Sequence, residues 1–407
     1  MKKNKLFPAL AGLLLVAGMG LSGCSVGGGD EDFTGPYDFE VSAGRNGVGG
    51  VGNGEWPADS LLSGVVTASE WRDLSQWAFW SGLMLGQDYS DKCDYWQCYT
   101  DHRVPVRVTD SAGNGLAGVS VRLMREGKTL WESVTDNHGE ADCWVSLWQK
   151  SASADASALR VSLDGLPMES APVVCPLDSM AQPTVNHYVL DRPENGPKRQ
   201  ADIAFIVDAT GSMLDEIFFL KSDLLDILGR VSAQHADQEF RTAALFYRDV
   251  EDEYLTRHSD FTADATTTEA FVKQQTALGG GDYPEAVHTA LEHMLQNLSW
   301  DTSARTRLAF MLLDAPAHHE DDVIRSLQQS LTTCARMGIR LIPIAASGAD
   351  KNTEFMLRFF AIATGGTYVF LTDDSGVGLP HIKASVGDCK VELLNELIVR
   401  LINEYTE

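Results

Sequence analysis

The chain has 407 residues, with 57 acidic against 32 basic side chains and a formal net charge of −25 at pH 7. That balance argues against a nucleic-acid binder and against electrostatic attachment to anionic lipid, while it suits divalent cations. The length predicts two or three domains.

The first 23 residues read as an export signal. Lys2, Lys3 and Lys5 precede an apolar run from Leu6 to Leu21 that is too short and too Gly-rich to be a good membrane span. Leu21-Ser22-Gly23-Cys24 resembles the lipobox of bacterial lipoproteins. The resemblance implies removal of residues 1–23 and acylation of Cys24, with several acyl chains giving a stable anchor. With Ser25 where an Asp would signal retention at the inner membrane, the expected address in a Gram-negative cell is the outer membrane, at its periplasmic face or at the cell surface. Residues 24–58 are Gly-rich and poor in large apolar side chains, the composition of a flexible tether.

Residues 59–100 form a Trp-rich segment. Thr67 with Glu70 three residues on matches a capping box, so a helix is expected there, with Trp71, Leu74 and Trp77 packing onto the next domain. Residues 101–192 alternate with period two in "VPVRV" and "VSVRL" and are punctuated by Gly, Asn and Asp. The stretch "GNGLAGVSVRLMREGKTLWESVTDNHGEADCWV" resembles carboxypeptidase-regulatory-like, or transthyretin-like, β-sandwich modules, which implies a spacer without a catalytic set. "DRPENGPKRQ" at 191–200 is a hinge by composition.

Beyond Cys24 there remain Cys93, Cys98, Cys143, Cys175, Cys334 and Cys389, an even number that suggests disulfides in an exported chain. Pairing within each domain gives Cys93–Cys98, Cys143–Cys175 and Cys334–Cys389. No Cys/His spacing suits zinc.

From residue 199 to 407, apolar runs at 202–207, 241–247, 307–313, 339–345 and 366–371 alternate with amphipathic stretches near 213–231, 284–297, 321–336, 353–363 and 390–404. That alternation predicts a doubly wound α/β domain with a mostly parallel, Rossmann-like sheet, following the β-sandwich. "ALFYRDVEDEYLTR" reads as a strand turning back to give one antiparallel edge.

Ligands of such sheets bind at the carboxyl ends of strands. Asp208, Thr210 and Ser212 lie at the first strand's end, expected to be exposed. Asp282 lies in the Gly-rich loop "ALGGGDYPEAV", and Asp314 ends the strand "RLAFMLLD". These are hard oxygen donors, suited to Mg²⁺, Mn²⁺ or Ca²⁺. Asp208-Ala209-Thr210-Gly211-Ser212 resembles the D-x-S/T-x-S signature of the metal-ion-dependent adhesion site in von Willebrand factor type A domains, and the likeness spans about 201–406. It implies a cation held by Asp208, Thr210, Ser212 and Asp314, with an open position for a carboxylate from a partner protein. The family supplies a Thr from the second loop, whereas "LGGGDYPEA" has none at its tip. Asp282 either takes that place or caps a helix starting at Pro284.

Ser212 lacks a G-x-S-x-G elbow, and no enzyme is expected. His318 to Asp322 read as a solvent-facing helix start, His288 and His293 as surface residues, and Arg248 and Asp249 as supports at the second strand's end. Two functions follow. One is a lipid-anchored module for metal-dependent adhesion or protein interaction. The other is a structural scaffold of an envelope complex with a purely structural metal.

Overall fold

The computed structural model describes residues 64–407, apart from 151–154, 179, 181–182, 192–196, 235–237 and 376–379. The export signal, Cys24, the tether and the centre of the 191–200 hinge lie outside the described residues. Among the described residues no helix is long and apolar enough to cross a membrane.

The chain opens with β1 (Thr67–Trp71), α1 (Trp77–Met84) and α2 (Gln87–Trp96). Seven strands follow: β2 (Arg103–Thr109), β3 (Ser120–Arg125), β4 (Lys128–Val134), β5 (Glu140–Trp144), β6 (Leu159–Leu163), β7 (Leu166–Pro167) and β8 (Asn186–Val189). They make a three-stranded sheet, β5-β2-β8, and a four-stranded sheet, β4-β3-β6-β7. Their buried faces, among them Val104, Val106, Val121, Leu123 and Val161, belong to one apolar cluster.

The rest alternates: β9 (Lys198–Asp208), α3 (Leu214–Gln234), β10 (Glu239–Tyr247), β11 (Thr256–Thr262), α4 (Ala265–Lys273), α5 (Val287–Asn297), β12 (Ala304–Leu313), α6 (Asp321–Met337), β13 (Ile339–Ala345), α7 (Lys351–Thr364), β14 (Tyr368–Leu371), β15 (Glu392–Leu393) and α8 (Leu394–Thr406). The sheet order is β11-β10-β9-β12-β13-β14-β1-β15. Strands β9, β10, β12, β13 and β14 run parallel, and β11 is antiparallel to β10. Taken from β9 onward this is the 3-2-1-4-5-6 order of doubly wound sheets, so the switch point lies between β9 and β12. Nine consecutive residues of β9 are buried, as a central parallel strand covered on both faces requires.

The helix expected at Thr67 is a strand. Ala68 to Trp71 pair antiparallel with Leu371 to Tyr368, so β1 extends the large sheet beyond its sixth strand. Backbone pairing with β14 outweighs the local capping signal. The helix proper begins at Trp77 and buries Trp77 and Trp80.

Trp80 stacks on Phe355 of α7 with ring centroids 6.0 Å apart. One apolar cluster therefore runs from Trp80 through Val104 and Leu123 to Ala204 and Phe355. The divisions expected near 100 and 192 fall between elements but do not separate cores, and residues 58–407 form one compact unit.

All six cysteines of this region are free thiols. For Cys143 and Cys175 the strand register explains why. Cys143 lies opposite Val104 on one edge of β2, and Cys175 opposite Arg103 on the other. They are thus two strand spacings apart, about 10 Å, and adjacent positions on β2 point to opposite faces. A disulfide needs Cα atoms within roughly 7 Å. Cys334 is sealed in the core, whereas Cys389 is exposed beside Glu70 and Arg400. Cys93 sits inside α2, its thiol facing Met84 Sδ at 3.8 Å, and the Cys98 amide bonds back to the Cys93 carbonyl.

Candidate metal centre

Strand β9 ends at Asp208 beside the switch point, and Asp314 follows the neighbouring β12 directly. The parallel register thus delivers two carboxylates to one end of the sheet. Asp208, expected to be exposed, is fully buried, and Asp314 is only 5 % exposed.

Asp208 shapes its own loop. Its Oδ1 accepts the Thr210 amide at 2.9 Å and the Thr210 hydroxyl at 2.7 Å, an Asx turn that reverses the chain out of the strand. The Thr210 and Ser212 hydroxyls stand 3.4 Å apart. Helix α3 begins two residues beyond Ser212, so its N-terminal donors and positive end lie next to the cluster.

The Gly-rich loop docks on this turn. The Leu278 amide donates to Ala209 O at 3.0 Å, and the Gly211 amide to Gly279 O at 3.0 Å. Gly280, at φ +77°, lies so close that a Cβ there would stand 3.2 Å from Glu285 Oε1 and 3.3 Å from Thr210 Cβ. Only glycine meets both requirements.

The buried acid of this loop is Glu285. Asp282 is exposed, and the N-cap of α5 is Ala286 with no side-chain cap bond, so Asp282 does not cap that helix. Instead of starting a helix at Pro284, the chain bonds the Glu285 amide to Pro316 O at 2.9 Å and pairs Glu285 with Ala317. This bridge fixes Glu285, 3 % exposed, beside Thr210 and within the fields of Asp208, Asp249 and Asp314. A Pro-Glu pair ahead of a helical pattern reads as an ordinary first turn, which is why the sequence reading passed over Glu285.

Burial first, then the nearby Asp314, pushes Asp208 up to about 7. Burial, then Asp208, Asp249 and Asp314, pushes Glu285 up to about 9. Tyr247, fully buried, is raised too, by burial and then by Asp208, Glu285 and Asp314. Asp208 Oδ2, Glu285 Oε2 and Tyr247 Oη are all sealed from solvent, with the Tyr247 hydroxyl set against Asp208 and the Thr210 hydroxyl against Glu285. Buried carboxylates crowded together are costly unless a proton or a cation compensates them. Among the described residues no three His, Cys, Asp or Glu side chains are drawn tightly enough to hold an ion by themselves. The donor set mixes carboxylates with hydroxyls. Its chemistry fits a hard divalent cation held by Asp208, Thr210, Ser212, Glu285 and Asp314.

The surrounding residues brace the loops. Arg248 Nε donates to Ala209 O at 3.1 Å and its Nη2 to Thr276 O at 2.9 Å, tying β10 to both site loops. His318 is not a free surface residue, because its Nε2 lies 2.8 Å from Asp249 Oδ1. His319 stacks on Tyr95 with centroids 3.5 Å apart. His293, also expected at the surface, is half-buried and joins α5 to β11 through His258 Nδ1 at 2.8 Å.

Residues 202–340 match the von Willebrand factor A domain family. The chain is 29% identical over 132 residues to an ariadne-like RING finger protein of Acanthamoeba polyphaga mimivirus, covering 32% of this chain and 13% of that protein. It is 32% identical over 208 residues to the alpha-protein kinase vwkA of Dictyostelium discoideum, covering 50% of this chain and 32% of that one. The chain thus spans a third or less of the length of either relative. Among solved structures, BatB, a conserved hypothetical protein from Bacteroides thetaiotaomicron, aligns over 50% of this chain and 98% of its own at 12% identity, with a TM-score of 0.34. The match to the von Willebrand factor A domain family thus runs from β9 into β13, the stretch that holds Asp208, Glu285 and Asp314.

Proposed function

We propose that this is a lipid-anchored envelope protein whose von Willebrand factor A domain binds Mg²⁺, or Mn²⁺ or Ca²⁺, and through it a carboxylate of a partner protein. Domains of this family serve protein–protein interaction in general. The observation that carries the metal reading is the gathering of the buried carboxylates of Asp208, Glu285 and Asp314 with the Thr210 hydroxyl at one end of the sheet. The bound ion would supply an electrophilic position at the mouth of the site. The chain's own part is to hold three carboxylates and two hydroxyls on loops braced by Arg248 and Gly280. The reading is of a binding module, not an enzyme. A partner captured from envelope extract by the mature chain should be released by EDTA and restored by Mg²⁺, with the circular dichroism of the chain unchanged. Retention in EDTA would refute metal-dependent binding.

Glu285 favours the second reading. Three carboxylates on one divalent cation leave it over-neutralised and less attractive to a partner's carboxylate. That is the arrangement of a purely structural metal in an envelope scaffold. Capture unaffected by chelation, together with a lower melting temperature, would select it.

The anchor rests on the lipobox. Cys24→Ser removes the acylated thiol, so the variant should stay unprocessed and unlabelled by radioactive palmitate. A lipid-labelled, processed Cys24→Ser protein would overturn that assignment.

A further inference from the structure

We infer that Cys93 and Cys98 are joined by a disulfide in the exported chain, and that this bond locks the turn through which residues 64–100 hold the loop after Asp314. The inference rests on the export reading of the first 23 residues and not on the cation site. The structure shows the pair reduced, with its backbone set for the bond. Helix α2 ends in a left-handed residue, Gln97 at φ +50°, and the Cys98 amide reaches back to the Cys93 carbonyl at 3.1 Å. This is the six-to-one bond of a Schellman turn, which brings the side chains at its two ends together. Cα of Cys98 is one bond from that nitrogen and Cα of Cys93 two bonds from that oxygen. The two Cα atoms therefore lie within about 7 Å, a span that a disulfide can bridge. Both side chains are buried, at 5% and 1% exposure, in the same apolar cluster. The bond requires the Cys93 thiol to turn from Met84 Sδ, its neighbour at 3.8 Å, by rotation about one side-chain bond.

Three consecutive residues between the cysteines fasten this turn to the large sheet's loops and helices. Tyr95 stacks on His319, and its carbonyl oxygen accepts from His319 Nε2 at 2.7 Å. Trp96 Nε1 donates to Asn352 Oδ1, in the first turn of α7, at 2.9 Å. Gln328 Nε2 of α6 donates to Gln97 O at 3.2 Å. Gln97 keeps a left-handed conformation that its Cβ disfavours, so the turn needs restraint beyond its own backbone preference. A covalent link between its two ends supplies that restraint. The oxidant is a disulfide-bearing protein or small molecule, the class that works in export compartments. One cysteine attacks an oxidant sulfur as a thiolate, forming a mixed disulfide and releasing the oxidant's other sulfur. The second cysteine then attacks its neighbour's sulfur and the Cys93–Cys98 bond forms. The oxidant leaves as a dithiol, having taken two electrons and two protons. Burial pushes the Cys93 thiol up to about 12 and the Cys98 thiol well above its usual range. Exchange therefore precedes the packing of α2, and the finished bond is sheltered from reductant in the folded chain.

Trypsin cuts after Lys92 and Arg103, so one peptide, residues 93–103, carries both cysteines. The test denatures the mature chain taken from the envelope, alkylates it without reductant and maps its peptides by mass. Peptide 93–103 should be unalkylated and lighter than its dithiol form by two hydrogens, while Cys143, Cys175, Cys334 and Cys389 each carry the alkyl group. A second sample is unfolded, reduced and refolded in oxidised glutathione, which reads the pair independently of any compartment. Two alkyl groups on peptide 93–103 in both samples would overturn the bond. Closure in glutathione alone would overturn the export reading and leave the pair standing. The lock is read by comparing the bridged chain with the same chain refolded in reduced glutathione. Bridging should raise the melting temperature by about 3 °C, the scale expected for so short a closed loop in a chain of this size. It should also slow amide hydrogen exchange at residues 315–320. Equal exchange there in the two forms would overturn the lock on the loop after Asp314 while leaving the bond itself.

Discussion

Asp73→Ala should lower the unfolding free energy of the chain by about 3–5 kcal/mol, the scale of breaking a buried ion pair. Asp73 lies between β1 and α1, and Arg358 sits in α7. The guanidinium grips the carboxylate twice, Nη2 to Oδ1 at 2.6 Å and Nε to Oδ2 at 2.9 Å, with Arg358 fully buried. Its Nη1 also donates to Tyr89 Oη at 3.0 Å and Ser385 O at 2.8 Å. Removing Asp73 strands a buried cation whose remaining acid, Glu354 Oε1 at 3.4 Å, is already engaged by Lys351 and the Ser385 amide. Denaturant unfolding followed by tryptophan fluorescence would read the loss, since Trp80 lies 5.0 Å from the guanidinium. The double variant Asp73→Leu/Arg358→Met should recover much of it, because neither charge is then left alone. A loss below about 1 kcal/mol, the range of exposed pairs, would mean that this pair does not join the two segments.

That pair also bears on the site. Helix α7 begins at the Asp350 cap, whose amide bonds Tyr283 Oη at 3.1 Å, and Tyr283 reaches the backbone of Asp314. Residues 64–100 thus brace the helix that braces the metal loop. A fragment starting at residue 199 would lose β1 from its sheet and expose Phe355 where Trp80 stacks. Binding measurements therefore belong on the full mature chain.

Much of this was legible from local pattern. Apolar runs ending in Asp208 and Asp314 announced parallel strands meeting at a switch point, because a strand covered on both faces needs a continuous apolar sequence. What escaped depends on distant pairing. Thr67 to Trp71 carries a helix-start signal and becomes a strand only because β14 offers an edge. Asp73 and Arg358 are 285 residues apart, and no local feature of either marks the other. Helix α4 escaped because "ATTTEAFVK" carries three β-branched Thr in its first turns. Glu285 escaped because its place beside Asp208 and Asp314 depends on a bridge to Ala317.

Asp208→Ala should abolish Mg²⁺ or Mn²⁺ binding while leaving the metal-free fold largely intact. The carboxylate is central to the donor set, yet its burial and its proximity to Asp314 already disfavour its charge, so removing it costs the metal-free protein little. What is lost is the pair of turn bonds from the Thr210 amide and hydroxyl, worth about 1 kcal/mol each. Thr210→Ala and Ser212→Ala should weaken the metal less, since water can replace a neutral hydroxyl ligand. Glu285 and Asp282 separate the two descriptions of the second loop. Glu285→Gln keeps the shape and one oxygen but removes a charge, and should weaken the metal by about tenfold or more, 1.4 kcal/mol per decade. It should at the same time strengthen capture of a partner's carboxylate, because the ion is then less fully neutralised. Asp282→Ala should leave metal affinity nearly unchanged, since that side chain is exposed and does not cap α5. Calorimetric titration of the mature chain and these five variants decides between them. An Asp282→Ala loss larger than that of Glu285→Gln would return the second-loop ligand to Asp282. Wild-type binding no stronger than that of Asp208→Ala would remove the cation from this site altogether.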